Sequence, residues 1–203
     1  MSKNKWYYQY NKINIKVYSP TFKQRPLFNE MIKNGKDKFK ACNIGDKFGP
    51  SWSSHWFQLE LNIPEHWENK EIHLIFNSSS EAALYNEYGE YLQGFAGGTD
   101  QLRTQYMFDT TQTFPVILYV EMSCNHPFGC GDEFLKPPPR DRTFELKECK
   151  LGLFNRDAWD LYWDLSVLYD MTKELDKMSQ IRQQVLRTAN KMINVIDPDD
   201  VST

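Results

Sequence analysis

A short segment of strict alternation sets the strongest limit on what this chain can fold into. In residues 57–63 every second side chain is apolar, and the side chains between them are polar. Alternation of this kind places the two sets on opposite faces of a β-strand, one buried and one in water. Pro64 has no amide hydrogen for a sheet, so the strand is predicted to end there. The segment therefore predicts a half-buried strand.

The residues around this strand are unusually rich in tryptophan. Gly49-Pro50 is a turn signal, Trp52 and Trp56 follow it, and Trp67 comes after the strand. The simplest interpretation is that Trp56 closes a hydrophobic core. Exposed indoles can also stack on sugar rings, so a carbohydrate-binding β-sandwich module that uses Trp52, Trp56 and Trp67 is an alternative function.

Further short strands are predicted along the middle of the chain, separated by turns. The turn around Gly89 requires a positive φ angle, which glycine adopts without steric cost. The segments are 71–76, 82–85, 91–94, 105–108, 115–122 and 144–154. Strands of this length and spacing indicate a β-sandwich over residues 48–154, jelly-roll-like and galactose-binding-like. Aromatic residues make up 15% of the chain, and large rings suit the space between two sheets.

The periodicity changes to a helical one at Asn155. Asn155 is a good N-cap, and apolar residues then recur every three or four positions. We expect a helical hairpin over residues 155–196, followed by a polar linker over residues 197–203. The apolar positions that we expect on the hairpin face are Leu165, Leu168, Ile181, Val185 and Met192. Any part of this face that stays uncovered would bind a partner.

The first 47 residues form a basic N-terminal arm. Residues 1–40 hold ten Lys and Arg against two acidic residues, whereas the whole chain carries a net charge of −3. Because these charges are dispersed, we expect the arm to dock on protein, and we expect no nucleic-acid partner. Residues 6–18 fit both strand and helix periodicity. We favour a helix that ends at Ser19-Pro20, since the residue before a proline disfavours helical backbone angles.

No catalytic or metal site is predicted from the residues. His73 lies opposite Leu74 on its strand, so we expect an exposed ring. The pair Cys124 and Cys130 encloses His126, but its spacing is wider than that of a structural zinc pair. Nothing resembles a nucleophile elbow, a phosphate-binding loop or a dinucleotide fingerprint. We therefore predict no catalytic residue, no metal ligand and no cofactor in this chain.

The composition points to a cytoplasmic protein. No run of 18 apolar residues is present, so we expect no membrane helix, and the first residues lack the apolar stretch of a secretory signal. The four cysteines do not form the dense framework of a small disulfide-bonded domain. A reduced compartment is the expectation.

A series of short motifs, in order, resembles the N-terminal region of cytosolic-type α-mannosidases, the class 2C branch of glycoside hydrolase family 38. The resemblance covers most of residues 45–198. The motifs that carry it are Phe48-Gly49-Pro50-Ser51-Trp52, His55-Trp56-Phe57, Leu61-Asn62-Ile63-Pro64-Glu65, Glu71-Ile72-His73-Leu74, Leu118-Tyr119-Val120-Glu121, Leu153-Phe154-Asn155-Arg156-Asp157 and Asp197-Pro198.

The resemblance implies a parent enzyme that removes terminal α-linked mannose from free oligosaccharides. In that family the mechanism is retaining, with an aspartate nucleophile and a divalent metal, usually zinc, held by His and Asp. These residues begin in an H-x-D motif that would lie beyond Thr203, and the chain has no such motif. The resemblance therefore implies a non-catalytic domain, inactive alone, with a structural or oligomerisation role. Its expected partners are its own catalytic domain and, in the full-length enzyme, further copies of itself.

Overall fold

The computed structural model describes residues 6–97, 103–109, 111–125 and 139–195. Its contacts divide the chain into two units. One is Tyr7–Phe154, a β-sandwich, and the other combines Trp6 with the segment that begins at Asn155. Each unit is described by itself.

The sandwich consists of two main antiparallel sheets. The first sheet has four strands in the order β1 (Tyr7–Lys12), β12 (Glu148–Phe154), β6 (Ile72–Asn77) and β9 (Gln105–Met107). The second has six in the order β3 (Lys40–Ala41), β2 (Asn14–Tyr18), β5 (His55–Leu61), β10 (Val116–Met122), β7 (Glu81–Asn86) and β8 (Tyr91–Ala96). A two-stranded ribbon pairs β4 (Lys47–Phe48) with β11 (Phe144–Glu145). The predicted β-sandwich is confirmed.

The alternating segment is strand β5, which lies between β2 and β10 in the six-stranded sheet. Phe57, Leu59 and Leu61 are no more than 1% exposed, while Gln58 and Glu60 are partly exposed. The apolar side chains of β5 and β10 face the four-stranded sheet, and together they form the main core. Gly89 has the expected positive φ angle of 84° in the turn between β7 and β8.

A second, smaller cluster lies on the outer face of the six-stranded sheet. Helix α1 (Phe28–Gly35) packs there, and Met31 inserts against Trp56 and Tyr119 with no exposed surface of its own. Phe28 meets the Tyr119 ring edge-on, with 5.3 Å between the ring centroids. This part of the sheet is therefore buried on both faces.

The helix that we predicted within residues 6–18 is wrong. The structure forms β1 and β2 there, so the sandwich begins at Tyr7 and takes in most of the basic arm. Strand β2 pairs with β5 along its whole length, and Ile15 points into the core with 6% exposure. Sheet pairing with strands from distant parts of the chain overrode the helical periodicity.

The second unit contains the predicted helical hairpin, formed by α2 (Arg156–Glu174) and α3 (Gln180–Val195). The Asn155 side chain caps α2 by accepting a hydrogen bond from the Ala158 amide at 2.9 Å, as the sequence predicts. Within this unit the Trp6 ring packs on Tyr162, with 4.9 Å between the centroids. None of the described helices is both long and apolar enough to cross a membrane.

Candidate functional site

The loop before β5 is held by buried hydroxyl groups. Ser51 donates to the Pro139 carbonyl at 2.7 Å, and Ser53 donates to the Pro50 carbonyl at 2.7 Å. His55 bridges Ser53 Oγ, 2.9 Å from its Nε2, and Ser19 Oγ, 2.8 Å from its Nδ1. The Ser53 hydroxyl donates its hydrogen to the Pro50 carbonyl, so its oxygen can only accept a hydrogen bond from His55. The Nε2 of His55 therefore carries the ring hydrogen, and Nδ1 accepts a hydrogen bond from Ser19.

His55 is thereby held neutral. It is only 5% exposed, and burial lowers the pKa of its imidazole to about 4. Protonation would place a charge inside the sandwich and add a hydrogen at Nδ1, where the present network needs an acceptor. The role of this histidine is therefore to fix the loop, since a base buried in this way has no access to a substrate.

Trp52 is the residue that this rigid loop presents to solvent. Its φ angle is 68°, a left-handed conformation that is unfavourable for a bulky side chain, and its side chain is 40% exposed. The backbone is fixed on both sides, because the Trp52 amide donates to the Cys124 carbonyl at 3.0 Å and Arg25 donates to the Trp52 carbonyl at 3.1 Å. These contacts thus offset the energetic cost of a strained backbone at a residue whose indole is partly exposed.

Trp56 and Trp67, the other two tryptophans of the predicted sugar-binding set, cannot contribute to a sugar platform. Trp56 and Trp67 are each 1% exposed, so the predicted platform of three exposed indoles is wrong. The Trp56 indole donates to the Pro26 carbonyl at 3.2 Å, beneath α1. The Trp67 indole donates to Gln9 Oε1 at 3.2 Å and packs in the main core. Both rings stabilise the sandwich.

A partly open strip of the six-stranded sheet runs beside this loop. Glu121 pairs with Ala83, and Ala83 pairs with Gly94, so a carboxyl group stands next to two very small residues. All three are half-buried. Burial raises the pKa of Glu121, and a hydrogen bond from Tyr85 and the charge of Arg25 partly oppose this. The sequence gives no signal for this arrangement, because Glu121 fits the solvated half of an alternating strand and the residues around Arg25 show no periodicity.

The buried thiols are poor nucleophiles. Burial and the nearby Asp46 carboxylate raise the pKa of Cys42 to about 12, and burial raises that of Cys124 to about 11. Burial also raises the pKa of Cys149. In the part of the chain that the structure describes, no three His, Cys, Asp or Glu side chains converge as a metal site would require. The candidate ligands His126 and Cys130 lie outside the described residues.

The exposed position predicted for His73 is wrong. Its ring is 7% exposed and stacks on Phe154 with 4.3 Å between the centroids, while its Nε2 lies 2.9 Å from Glu71 Oε1. Its Nδ1 lies 3.1 Å from the Tyr7 hydroxyl. Alternation placed His73 correctly on the face opposite Leu74, but Tyr7 and Phe154 cover that face.

Comparison with known proteins places this architecture in one family. The profile described as "Alpha-mannosidase, jelly roll domain" matches residues 10–152. Alpha-mannosidase G of Dictyostelium discoideum is 38% identical over 170 residues, and alpha-mannosidase 2C1 of Mus musculus is 35% identical over 173. These matches cover 82% and 83% of this chain but 16% of each relative. An alpha-mannosidase of Saccharomyces cerevisiae is 31% identical over 206 residues, which is 98% of this chain and 19% of that protein.

Among solved structures, a beta-glucuronidase of Ruminococcus gnavus aligns over 73% of this chain and 30% of its own, with a TM-score of 0.40 and 13% identity. This likeness is too distant to carry an argument about function. The profile match and the sequence identities are decisive, and they agree with the motif series. The chain belongs to the jelly-roll domain family of the α-mannosidases.

Proposed function

We propose that this chain is the non-catalytic N-terminal domain of an α-mannosidase of glycoside hydrolase family 38. The complete enzyme would remove terminal α-linked mannose from free oligosaccharides in the cytoplasm. The observation that carries the proposal is the match of residues 10–152 to the jelly-roll domain of α-mannosidases. The relatives are several times longer than the matched region, which gives room for a separate catalytic domain.

We assign the retaining chemistry and the divalent metal, zinc in the first instance, to that catalytic domain. The residues described here do not fit a zinc site, since no three suitable ligands converge among them. The two buried histidines of the sandwich make structural hydrogen bonds, His55 with two serines and His73 with Tyr7 and Glu71. No step of hydrolysis is therefore assigned to a side chain of this domain.

The domain contributes a contact surface to the complete enzyme, and this surface lies on its helical unit. Trp163, Val167 and Met171 lie one helical turn apart on α2, and their side chains are 50%, 57% and 37% exposed. We call this stripe the α2 patch. Apolar side chains at this spacing are typical of a helix face that another protein surface covers. We propose that the catalytic domain of the same polypeptide, or the homo-oligomer that it forms, covers the α2 patch.

Two assays test the proposal. The isolated chain should not hydrolyse an aryl α-mannoside, even with added zinc or cobalt, and turnover above a buffer blank would refute its non-catalytic role. A chimera in which this chain replaces the matching segment of the D. discoideum relative should retain hydrolysis. Adding Trp163→Asp and Val167→Asp should reduce the yield of active chimera, because charges would then be placed against the covering surface.

The control for that variant is Tyr88→Asp, which changes a side chain with 77% exposure in the turn between β7 and β8. This substitution should leave the activity of the chimera unchanged. If the α2-patch variant were as active and as well assembled as the control, the structural role assigned to the α2 patch would be wrong.

A further inference from the structure

One end of the sandwich carries a groove between two loops that are distant in sequence. Strands β5 and β10 pair antiparallel, with Leu61 opposite Val116, so the segment after β5 and the segment before β10 leave the sheet at the same end. The space between residues 62–69 and 111–114 is an open cavity of about 660 Å³. This volume is typical of small-molecule sites, which span roughly 300–1,000 Å³.

The first wall of the groove is pinned to the core. Trp67 inserts into the core with 1% exposure, and its amide donates to the Pro64 carbonyl at 2.9 Å. The Glu68 amide donates to the Glu65 carbonyl at 3.1 Å and completes a short turn. Asn69 closes this wall with a positive φ angle of 59°. The side chains of this wall therefore start from a fixed backbone.

The second wall is equally constrained. Asp109 Oδ1 accepts hydrogen bonds from the Thr111 amide at 2.8 Å and from the Thr111 hydroxyl at 2.7 Å. The Gln112 amide donates to the Asp109 carbonyl at 2.9 Å. Phe114 packs on the core against Phe108, with 5.4 Å between the ring centroids. Both walls are thus formed before any ligand arrives, which lowers the entropic cost of binding.

The groove offers hydrogen-bonding groups that the protein itself does not use. Among the described residues, Glu65, Glu68 and Asn69 have no side-chain partner. The Asn62 Oδ1 accepts from the Ile63 amide, which leaves the Asn62 NH₂ group open. The Gln112 Nε2 donates to the Thr113 carbonyl at 2.8 Å, which leaves its Oε1 open. Unused donors and acceptors are therefore present on residues that line one cavity.

The chemistry of the lining selects a class of ligand. Seven of the ten lining residues carry amide, hydroxyl or carboxylate groups, and none is Lys, Arg or His. Two carboxylates without a cation disfavour phosphates and other anions. Ile63, Pro64 and Phe114 add an apolar part to the lining, against which the C–H face of a sugar ring can lie. Sugar hydroxyls, each both donor and acceptor, match the amides and carboxylates.

We propose that this groove binds a neutral saccharide, and that its natural ligand is an α-mannose-containing oligosaccharide. The choice of mannose rests on the proposed function, whereas the choice of a neutral polyol rests on the groove alone. Trp52 precedes β5 and the groove residues 62–69 follow it, so the two lie at opposite ends of this strand. The groove would hold the oligosaccharide, and none of its residues is assigned a step of hydrolysis.

The test is calorimetric titration of the 203-residue chain with α-linked mannobiose, with saturation-transfer NMR as a second readout. Binding in the millimolar range is expected. The variant Glu65→Gln with Glu68→Gln, and separately Asn69→Gly, should each weaken it about tenfold, since charge-assisted and amide hydrogen bonds would be lost. The glycine in Asn69→Gly keeps the positive φ angle, so the wall stays intact.

Matched controls separate the groove from general surface changes. Glu87→Gln removes an exposed carboxylate elsewhere, and Lys23→Gly replaces another residue with positive φ, at 79°. Both should bind mannobiose as the parent chain does. Two further titrations complete the set. In one, calcium or magnesium replaces mannobiose as the titrant, and in the other mannobiose is titrated into Trp52→Ala.

The proposal is overturned if millimolar mannobiose gives no signal, or if the groove variants bind it as well as the parent chain does. It is also overturned if Trp52→Ala abolishes binding while the groove variants do not. Uptake of a divalent cation at Glu65 and Glu68 without sugar binding would assign the groove to a metal instead. None of these results touches the hydrolysis measured on the chimera, so the two proposals fail independently.

Discussion

The buried imidazole of His55 makes the stability of the sandwich sensitive to acid. In the folded chain the pKa of His55 is lowered from 6.5 to about 4, because burial disfavours the charged ring. An unfolded chain exposes the ring and restores the ordinary value. The neutral ring therefore stabilises the folded state fully above pH 6.5, and this contribution is lost as the pH falls from 6.5 toward 4.

The size of the effect follows from proton linkage. Between pH 7 and pH 5 the unfolded state takes up a proton at this site while the folded state largely does not, which lowers the free energy of unfolding by about 2 kcal/mol. By pH 4 and below, the loss approaches about 3 kcal/mol. These values are large against the total stability of a single domain, about 5–15 kcal/mol.

Urea unfolding at a series of pH values, for the parent chain and for His55→Asn, measures this contribution. Asparagine can still hydrogen-bond near Ser19 and Ser53 but does not titrate, so the difference in unfolding free energy between the two proteins should shrink by about 2 kcal/mol from pH 7 to pH 5. A constant difference between the parent chain and His55→Asn, or an NMR titration of His55 near 6.5, would refute the reasoning.

Three further outcomes are expected. Trp56→Ala should lower the free energy of urea unfolding by about 3–5 kcal/mol, because removing a fully buried indole leaves a cavity. Trp52→Gly should change it by no more than about 1 kcal/mol, because relief of the positive φ angle offsets the lost packing. Equal losses for the two variants would contradict the difference in burial between the two indoles. Asn155→Ala should cost about 1 kcal/mol by removing the α2 cap, and an unchanged thermal midpoint would contradict that role. In a Cys130→Ser background, the three buried thiols should resist a thiol reagent at pH 8 until urea is added, and rapid native labelling would contradict their raised pKa values.

Much of the architecture could be predicted from local pattern. Alternation fixed the inward side chains of β5, and the change of period at Asn155 located the helical hairpin and its cap. The ordered motifs around Phe48–Trp52 indicated the α-mannosidase family before any comparison. These features depend on neighbouring residues in sequence, through backbone geometry and side-chain periodicity.

The candidate sites needed contacts between distant segments. The groove exists because the antiparallel pairing of β5 with β10 brings residues 62–69 beside residues 111–114, and no local pattern encodes that pairing. The cluster at Trp52 likewise depends on Arg25, which lies in a stretch without periodicity. The polar residues of the groove and of the Trp52 loop are present in the sequence, but local pattern does not predict that they lie close together.

Local pattern was enough to predict the strands in the middle of the chain, the helical hairpin, the apolar face of β5 and the family to which the chain belongs. The tertiary structure decided which faces are covered. Residues near Ile15 fit two periodicities, and pairing with β5 selected a strand. His73 stands on a polar face of its strand, and Tyr7 and Phe154 bury it there. Periodicity fixes the direction of a side chain relative to its own strand, whereas burial depends on what another segment of the chain places against it.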